Sequence, residues 1–272
     1  MEAGFKLNQK GQLVYLTIPS FEGTGLVKHA FTTRLGGVST GMYSSLNTSF
    51  SKNDEPGSVE RNLDIICSEL KIDYKRLVFS NQVHGDTVRE IGINDIGKGV
   101  TRKSDIVGVD ALITNVPGIP LITFYADCVP VYILDKGKKA VGLIHAGWKG
   151  TVLKIAAKAL ESMQRAYGTD PKDCLAAIGP SIEKSCYEVG NEVYEQFRTS
   201  YSNHVELAEK TDNDKYLIDL WKANKTALME KGVPSENITV SGLCTKCNHD
   251  MFFSHRYHGE NRGSLSAIIE II

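Results

Sequence analysis

Residues 110–135 read DALITNVPGIPLITFYADCVPVYILD. Three apolar runs, 111–115, 121–126 and 129–134, are short and rich in Ile, Val, Phe and Tyr. Turn-forming residues part them: Pro117, Gly118 and Pro120 in one gap, Asp127 and Cys128 in the other. Buried strands joined by turns have this pattern. A membrane span does not, because Asp127 and prolines interrupt the most apolar part. Working outward, similar runs occur at 13–18, 27–33, 77–82, 140–144, 175–178, 238–243 and 265–271. Amphipathic helical spacing lies between them. Val59, Leu63, Ile66, Cys67 and Leu70 share one face; Val152, Ile155, Ala156, Ala159, Leu160 and Met163 share another. A further helix is expected over 218–230. Strands and helices in mixed order predict an α/β (α+β) layered sandwich with mixed β-sheets, one domain over residues 1–272.

Composition narrows the function classes. The chain has 272 residues, 42% hydrophobic, enough for a sizeable core. Its net charge is -1, which offers no general attraction to nucleic acid or an anionic membrane. The start, MEAGFKLNQKGQ, lacks the apolar core of a signal peptide. The six cysteines are unevenly spread and read as thiols or metal ligands in a reducing, cytoplasmic setting. No repeat or low-complexity linker occurs.

Three strand ends carry a histidine or cysteine among small or turn-forming residues: His84 in FSNQVHGDTV, Cys128 in TFYADCVPVY and His145 in GLIHAGWKG. Two imidazoles and one thiolate suit zinc, with a fourth position open to water or substrate. The spacing alone also fits three core-packed residues. Nearby, Lys149-Gly150-Thr151 opens a helix that Thr151 could cap, and the free N–H groups there could hold an anion. Arg34 stands between a strand and a double glycine, a place for an oxyanion clamp. His255 and Arg256 flank another turn. Cys244 and Cys247 form a C-x-x-C half-site that His255 or His258 could complete. Cys67 reads as packing, and Cys174 and Cys186 have no evident partner.

NQVHGDTV, DALITNVPGIPLITFYADCVPVYILD, HAGWKGT, AIGPSIEKSCYEVG and LCTKCNHDMFFSHR, in this order, resemble the YfiH/YlmD family. Its members were first called multicopper polyphenol oxidoreductases or laccases, and later purine nucleoside phosphorylases with adenosine deaminase activity. The resemblance runs from about Phe31 to the C-terminus. It implies that His84, Cys128 and His145 bind the metal. It also implies a fold similar to the catalytic domain of cytotoxic necrotizing factor. One departure is Arg256-Tyr257-His258-Gly259, where relatives often carry arginine-arginine-aspartate-glycine.

The implied chemistry is phosphorolysis of adenosine, inosine, guanosine and methylthioadenosine, and hydrolytic deamination of adenosine. Zinc would assist attack of water on the purine. The H-x-E motif of the usual nucleoside deaminases is missing, so Asp127, beside the cysteine ligand, is the candidate for moving protons. Arg34 and Lys149 are the candidates for phosphate, and Arg256 for substrate. Copper is the alternative metal, since two histidines and a cysteine also form the blue-copper set. A trinuclear copper centre needs further histidines, and the remaining ones are scattered. Two other readings stay open. One is a hydrolase editing peptidoglycan precursors, with Cys128 as nucleophile and His145 as base. The other is a non-catalytic partner protein stabilised by its metal.

Overall fold

Along Val129–Asp135, Val129, Val131 and Ile133 point one way, while Tyr132 and Leu134 point the other. Both sets are buried, so this strand must be covered on both faces. A computed structural model, describing residues 4–272, shows what covers it.

The strands are β1 (Lys6–Lys10), β2 (Leu13–Thr17), β3 (Val27–Thr32), β4 (Val88–Glu90), β5 (Ala111–Thr114), β6 (Leu121–Tyr125), β7 (Val129–Asp135), β8 (Ala140–Ala146), β9 (Cys174–Ile178), β10 (Glu188–Val189), β11 (Ala208–Lys210), β12 (Tyr216–Ile218), β13 (Ile238–Val240) and β14 (Leu265–Ile271). One sheet has the order β1-β2-β3-β14-β6 and is antiparallel. A second, mixed sheet has the order β13-β9-β7-β8-β5-β4. A small third sheet, β10-β12-β11, lies apart from them.

The alternation of side chains shows that the two large sheets are stacked. Tyr132, Leu134, Val141 and Leu143 of the mixed sheet share a core with Phe31, Leu121, Tyr125, Ala267 and Ile269 of the antiparallel one. The outer face of the mixed sheet, through Val131, Ile133 and Ile144, meets the helices Ile155–Tyr167, Asn191–Ser200 and Leu220–Glu230. The outer face of the antiparallel sheet, through Ala30, Ile122 and Ile268, meets the helix Pro56–Leu70. The result is four layers: helix, sheet, sheet, helices. Among the described residues no helix is long and apolar enough to cross a membrane.

Three expectations change. The run 77–82 forms no strand, only isolated bridges from Val78 to Leu121 and from Asn81 to Val107. Its backbone is split between two partners, with Val78 N–H donating to Pro120 at the start of β6 and Asn81 N–H to Ile106 in the loop before β5. The helix expected from residue 152 is two helices, Trp148–Val152 and Ile155–Tyr167, separated where Lys154 takes a left-handed φ of 56°. Thr151 is no cap: it is fully buried, its hydroxyl accepts from Asn224, and Gly147 holds the N-cap position. β1, β4 and the third sheet escaped notice because their short, polar or half-exposed runs show little hydrophobic alternation.

Candidate metal centre and cleft

β7 and β8 are antiparallel neighbours, with Pro130 opposite His145 and Val129 opposite Ala146. Cys128, just before β7, therefore lies beside the end of β8. Val141, Leu143 and His145 share the face turned toward the other sheet, as the strand's period of two requires. His145 is 3% exposed, so its polar ring needs partners there.

Asp110 supplies one. Its carboxylate accepts the His145 Nδ1–H at 2.8 Å. It also accepts the backbone N–H groups of Val83, His84 and Gly85 at 3.2, 3.0 and 2.8 Å. One buried carboxylate thus fixes the His145 ring and draws the His84 turn onto the same sheet end. This engagement leaves Nε2 of His145 for a ligand. His84 and Asp127 both have left-handed backbone, φ 62° and 87°, where the chain turns sharply to present neighbouring groups. The His84 and His145 rings meet edge to face, centroids 4.9 Å apart. Ligand atoms of His84, Cys128 and His145 all lie within 4.8 Å of one another. Gly147 leaves the space for this: a Cβ there would stand 2.8 Å from His84 Cδ2 and 3.3 Å from Cys128 Sγ. The donor set and its spacing fit a zinc-sized ion with an open fourth position.

Electrostatics favours the same use. Burial opposes ionisation of Cys128, but the His145 and His84 imidazoles outweigh it and bring the thiol down to about 6. Burial likewise opposes charge on His145, but the Cys128 thiolate and Asp110 raise it to about 9. A thiolate is the form that ligates metal.

The trio lies where two lobes of a cleft meet. One lobe, about 320 Å³, is lined by Phe79, Asn81, Gln82, Phe124 and Tyr125. Phe79 stacks on Phe50 and meets Phe124 edge to face at 5.2 Å. Gln82 is pinned, since its amide both donates to and accepts from the Phe124 backbone. The other lobe, about 530 Å³, is lined by Asp127, Trp148, Tyr187, His255, Arg256 and Glu260. Lys52, His84, Ala126, Cys128 and Arg262 line both lobes. Burial and the adjacent Arg262 charge lower the pKa of Lys52, and burial lowers that of Arg262. The acidic neighbours Glu260, facing both cations, and Asp127, facing Arg262, act the other way.

The other expected site residues divide. Arg256 lines the larger lobe, its Nη1 donating to the carbonyls of Cys186 and Glu188 and its guanidinium 5.3 Å from the Tyr187 ring. Asp127 lines it too, but one carboxylate oxygen accepts from the Thr245 hydroxyl and the other from Arg256 N–H, both at 2.6 Å. It holds the Arg256 turn in place. Arg34 lines neither lobe. Its fork donates to the Ser44 and His249 carbonyls, and it lies over the Phe253 ring. Lys149 is exposed, lies over Trp148 and lines neither lobe. Asp110 opens the most apolar stretch of the chain, and a carboxylate in that setting was the available signal. Lys52 and Arg262 sit in irregular loops with no local signal.

A family described as "Multi-copper polyphenol oxidoreductase laccase" matches residues 28–272. A protein of Bacteroides thetaiotaomicron named "Purine nucleoside phosphorylase" is 37% identical over 264 residues, 96% of this chain and 97% of that protein. "Adenosine deaminase RL5", from an unknown prokaryotic organism, is 36% identical over 86% of this chain and 90% of that protein. The crystal structure of YlmD from Geobacillus stearothermophilus superposes with a TM-score of 0.92 at 33% identity, covering 99% of each chain.

Proposed function

The chain belongs to the multi-copper polyphenol oxidoreductase laccase family, and from that membership we propose that it is a purine nucleoside phosphorylase that also deaminates adenosine. The observation that carries the reading is the two-lobed cleft at the His84–Cys128–His145 trio, with Phe79 and Phe124 in one lobe, Arg256 in the other, and Lys52 and Arg262 lining both. Phe79 and Phe124 offer apolar ring surface to a planar base. Lys52, Arg262 and Arg256 hold a phosphate dianion beneath the ribose, positioned for attack as the base leaves. The substrates are adenosine, inosine, guanosine and methylthioadenosine.

We assign zinc to the trio. Held by His84, Cys128 and Nε2 of His145, it supplies Lewis acidity beside the purine. Asp110 keeps the His145 ring oriented and Gly147 keeps the approach open. The same donor set accepts copper. A multicopper oxidase would need more imidazole near it, and among the described residues none of the other five histidines joins the trio.

One observation favours a second reading. Asp110, His145 and Cys128 are arranged as an acid–imidazole–thiol series with a lowered thiol pKa, which would serve a cysteine hydrolase. A product assay separates the two. Protein of measured metal content is incubated with adenosine, with and without phosphate, beside His145→Ala. Adenine only with phosphate, inosine without it, and neither from the variant is the expected result. Unchanged adenosine in every tube would overturn the nucleoside reading and leave the hydrolase.

A further inference from the structure

Behind the larger lobe lies a second group of ligand atoms. Sγ of Cys186, Cys244 and Cys247 and a carboxylate oxygen of Glu183 all lie within 4.8 Å of one another. Cys186 and Cys247, 61 residues apart in sequence, bring their sulfurs to 3.3 Å. Oε1 of Glu183 stands 3.5 Å from the Cys247 sulfur and 3.9 Å from that of Cys186. Four ligands on a tetrahedral zinc ion, with Zn–S about 2.3 Å and Zn–O about 2.1 Å, are separated by roughly 3.5–3.8 Å. The group already has that scale. The Cys247 N–H donates to the Cys244 sulfur at 3.4 Å, a contact that favours the thiolate form. The histidines expected to complete the C-x-x-C pair do not take part. His255 faces Glu260 at 3.7 Å, and His258 lies on Arg34.

The surroundings show what such an ion would do. Ser181 bridges to Cys244, Ser181 N–H donates to Leu243, and Thr245 N–H donates to Ser181. The cluster joins the same two segments one turn further on. Those segments carry Tyr187, whose ring Arg256 overlies, and Thr245, which holds Asp127. The Cys186 carbonyl itself accepts from Arg256. Four protein ligands leave no open position, which is the mark of a structural site.

We propose that Glu183, Cys186, Cys244 and Cys247 bind a structural zinc ion that clamps the 181–187 segment to the 244–247 turn and so fixes one wall of the cleft. The proposal concerns metal content and stands or falls apart from the nucleoside reading.

The test is elemental analysis of full-length protein purified from zinc-supplemented medium. Wild type is expected to carry about two zinc equivalents, His145→Ala and Cys247→Ser about one each, and the double variant almost none. Cys247 is exposed, so its loss opens no core cavity. Cys247→His, which restores a ligand, should return about one equivalent to the His145→Ala background. Cobalt(II) loaded into His145→Ala should show thiolate-to-metal charge-transfer absorption that Cys247→Ser abolishes. Equal metal in Cys247→Ser and wild type would overturn the proposal. So would a Cys186–Cys247 disulfide found by mass spectrometry in protein handled without oxidant.

Discussion

Two strands of this protein carry a buried His-Ala pair. His29-Ala30 lies in β3 and His145-Ala146 in β8, and the two histidines are 4% and 3% exposed. Locally they are nearly the same feature. Their chemistry is opposite. His29 packs against the Phe21 ring, and its Nε2 accepts the Ile18 N–H at 2.8 Å. Burial dominates there and lowers its pKa to about 4. At His145 burial acts the same way, but Cys128 and Asp110 outweigh it. Burial alone therefore does not set a histidine's charge; the partners that reach it do.

The largest expected effect separates the two. His145→Ala should lose the metal of the trio and all nucleoside turnover, whereas His29→Gln should keep both; elemental analysis and product chromatography read the difference. Loss of metal from the His29 variant would break the comparison.

Stability against pH should single out His29. Its folded pKa lies below the unfolded value of about 6.5, so below that pH the unfolded chain binds a proton that the native protein refuses. Stability falls as pH drops from about 6.5 toward 4. Between pH 7 and 5 this one group should account for about 2 kcal/mol. Urea unfolding of wild type and His29→Gln at both pH values measures it, and the variant should show the shallower slope.

Asp110→Asn should weaken metal binding to the trio about 10- to 100-fold, since it loosens both the His145 ring and the His84 turn. Competition with a zinc chelator checks this. Gly147→Ala should act in the same direction by pushing His84 away from Cys128. At the lower end, Arg262→Ala should raise the KM for phosphate while leaving phosphate-independent deamination largely intact. Arg34→Lys should leave that KM unchanged, because its fork is spent on carbonyls outside the cleft.

Much of the architecture was legible along the chain. The runs at 111–115, 121–126, 129–134 and 265–271 became β5, β6, β7 and β14 almost residue for residue, because a short apolar run bounded by turn-forming residues is a local signal. The run at 77–82 looked the same and failed, since its bonds were divided between the start of β6 and the loop at 106–107. His84, Cys128 and His145 were visible as strand-end residues and through the family resemblance. Asp110 was not, although its carboxylate organises two of the three.

By itself, then, the sequence determined most of the apolar strand runs, the helices Pro56–Leu70, Ile155–Tyr167 and Leu220–Glu230, and which residue types could hold a metal. The tertiary structure decided who meets whom. It brought Cys186 and Glu183 to Cys244 and Cys247, crowded Lys52 beside Arg262, and turned Arg34 away from the cleft. The physical reason is range. Periodicity and turn chemistry act over a few residues, whereas convergence of side chains depends on sheet register and on loops whose ends are set by distant strands.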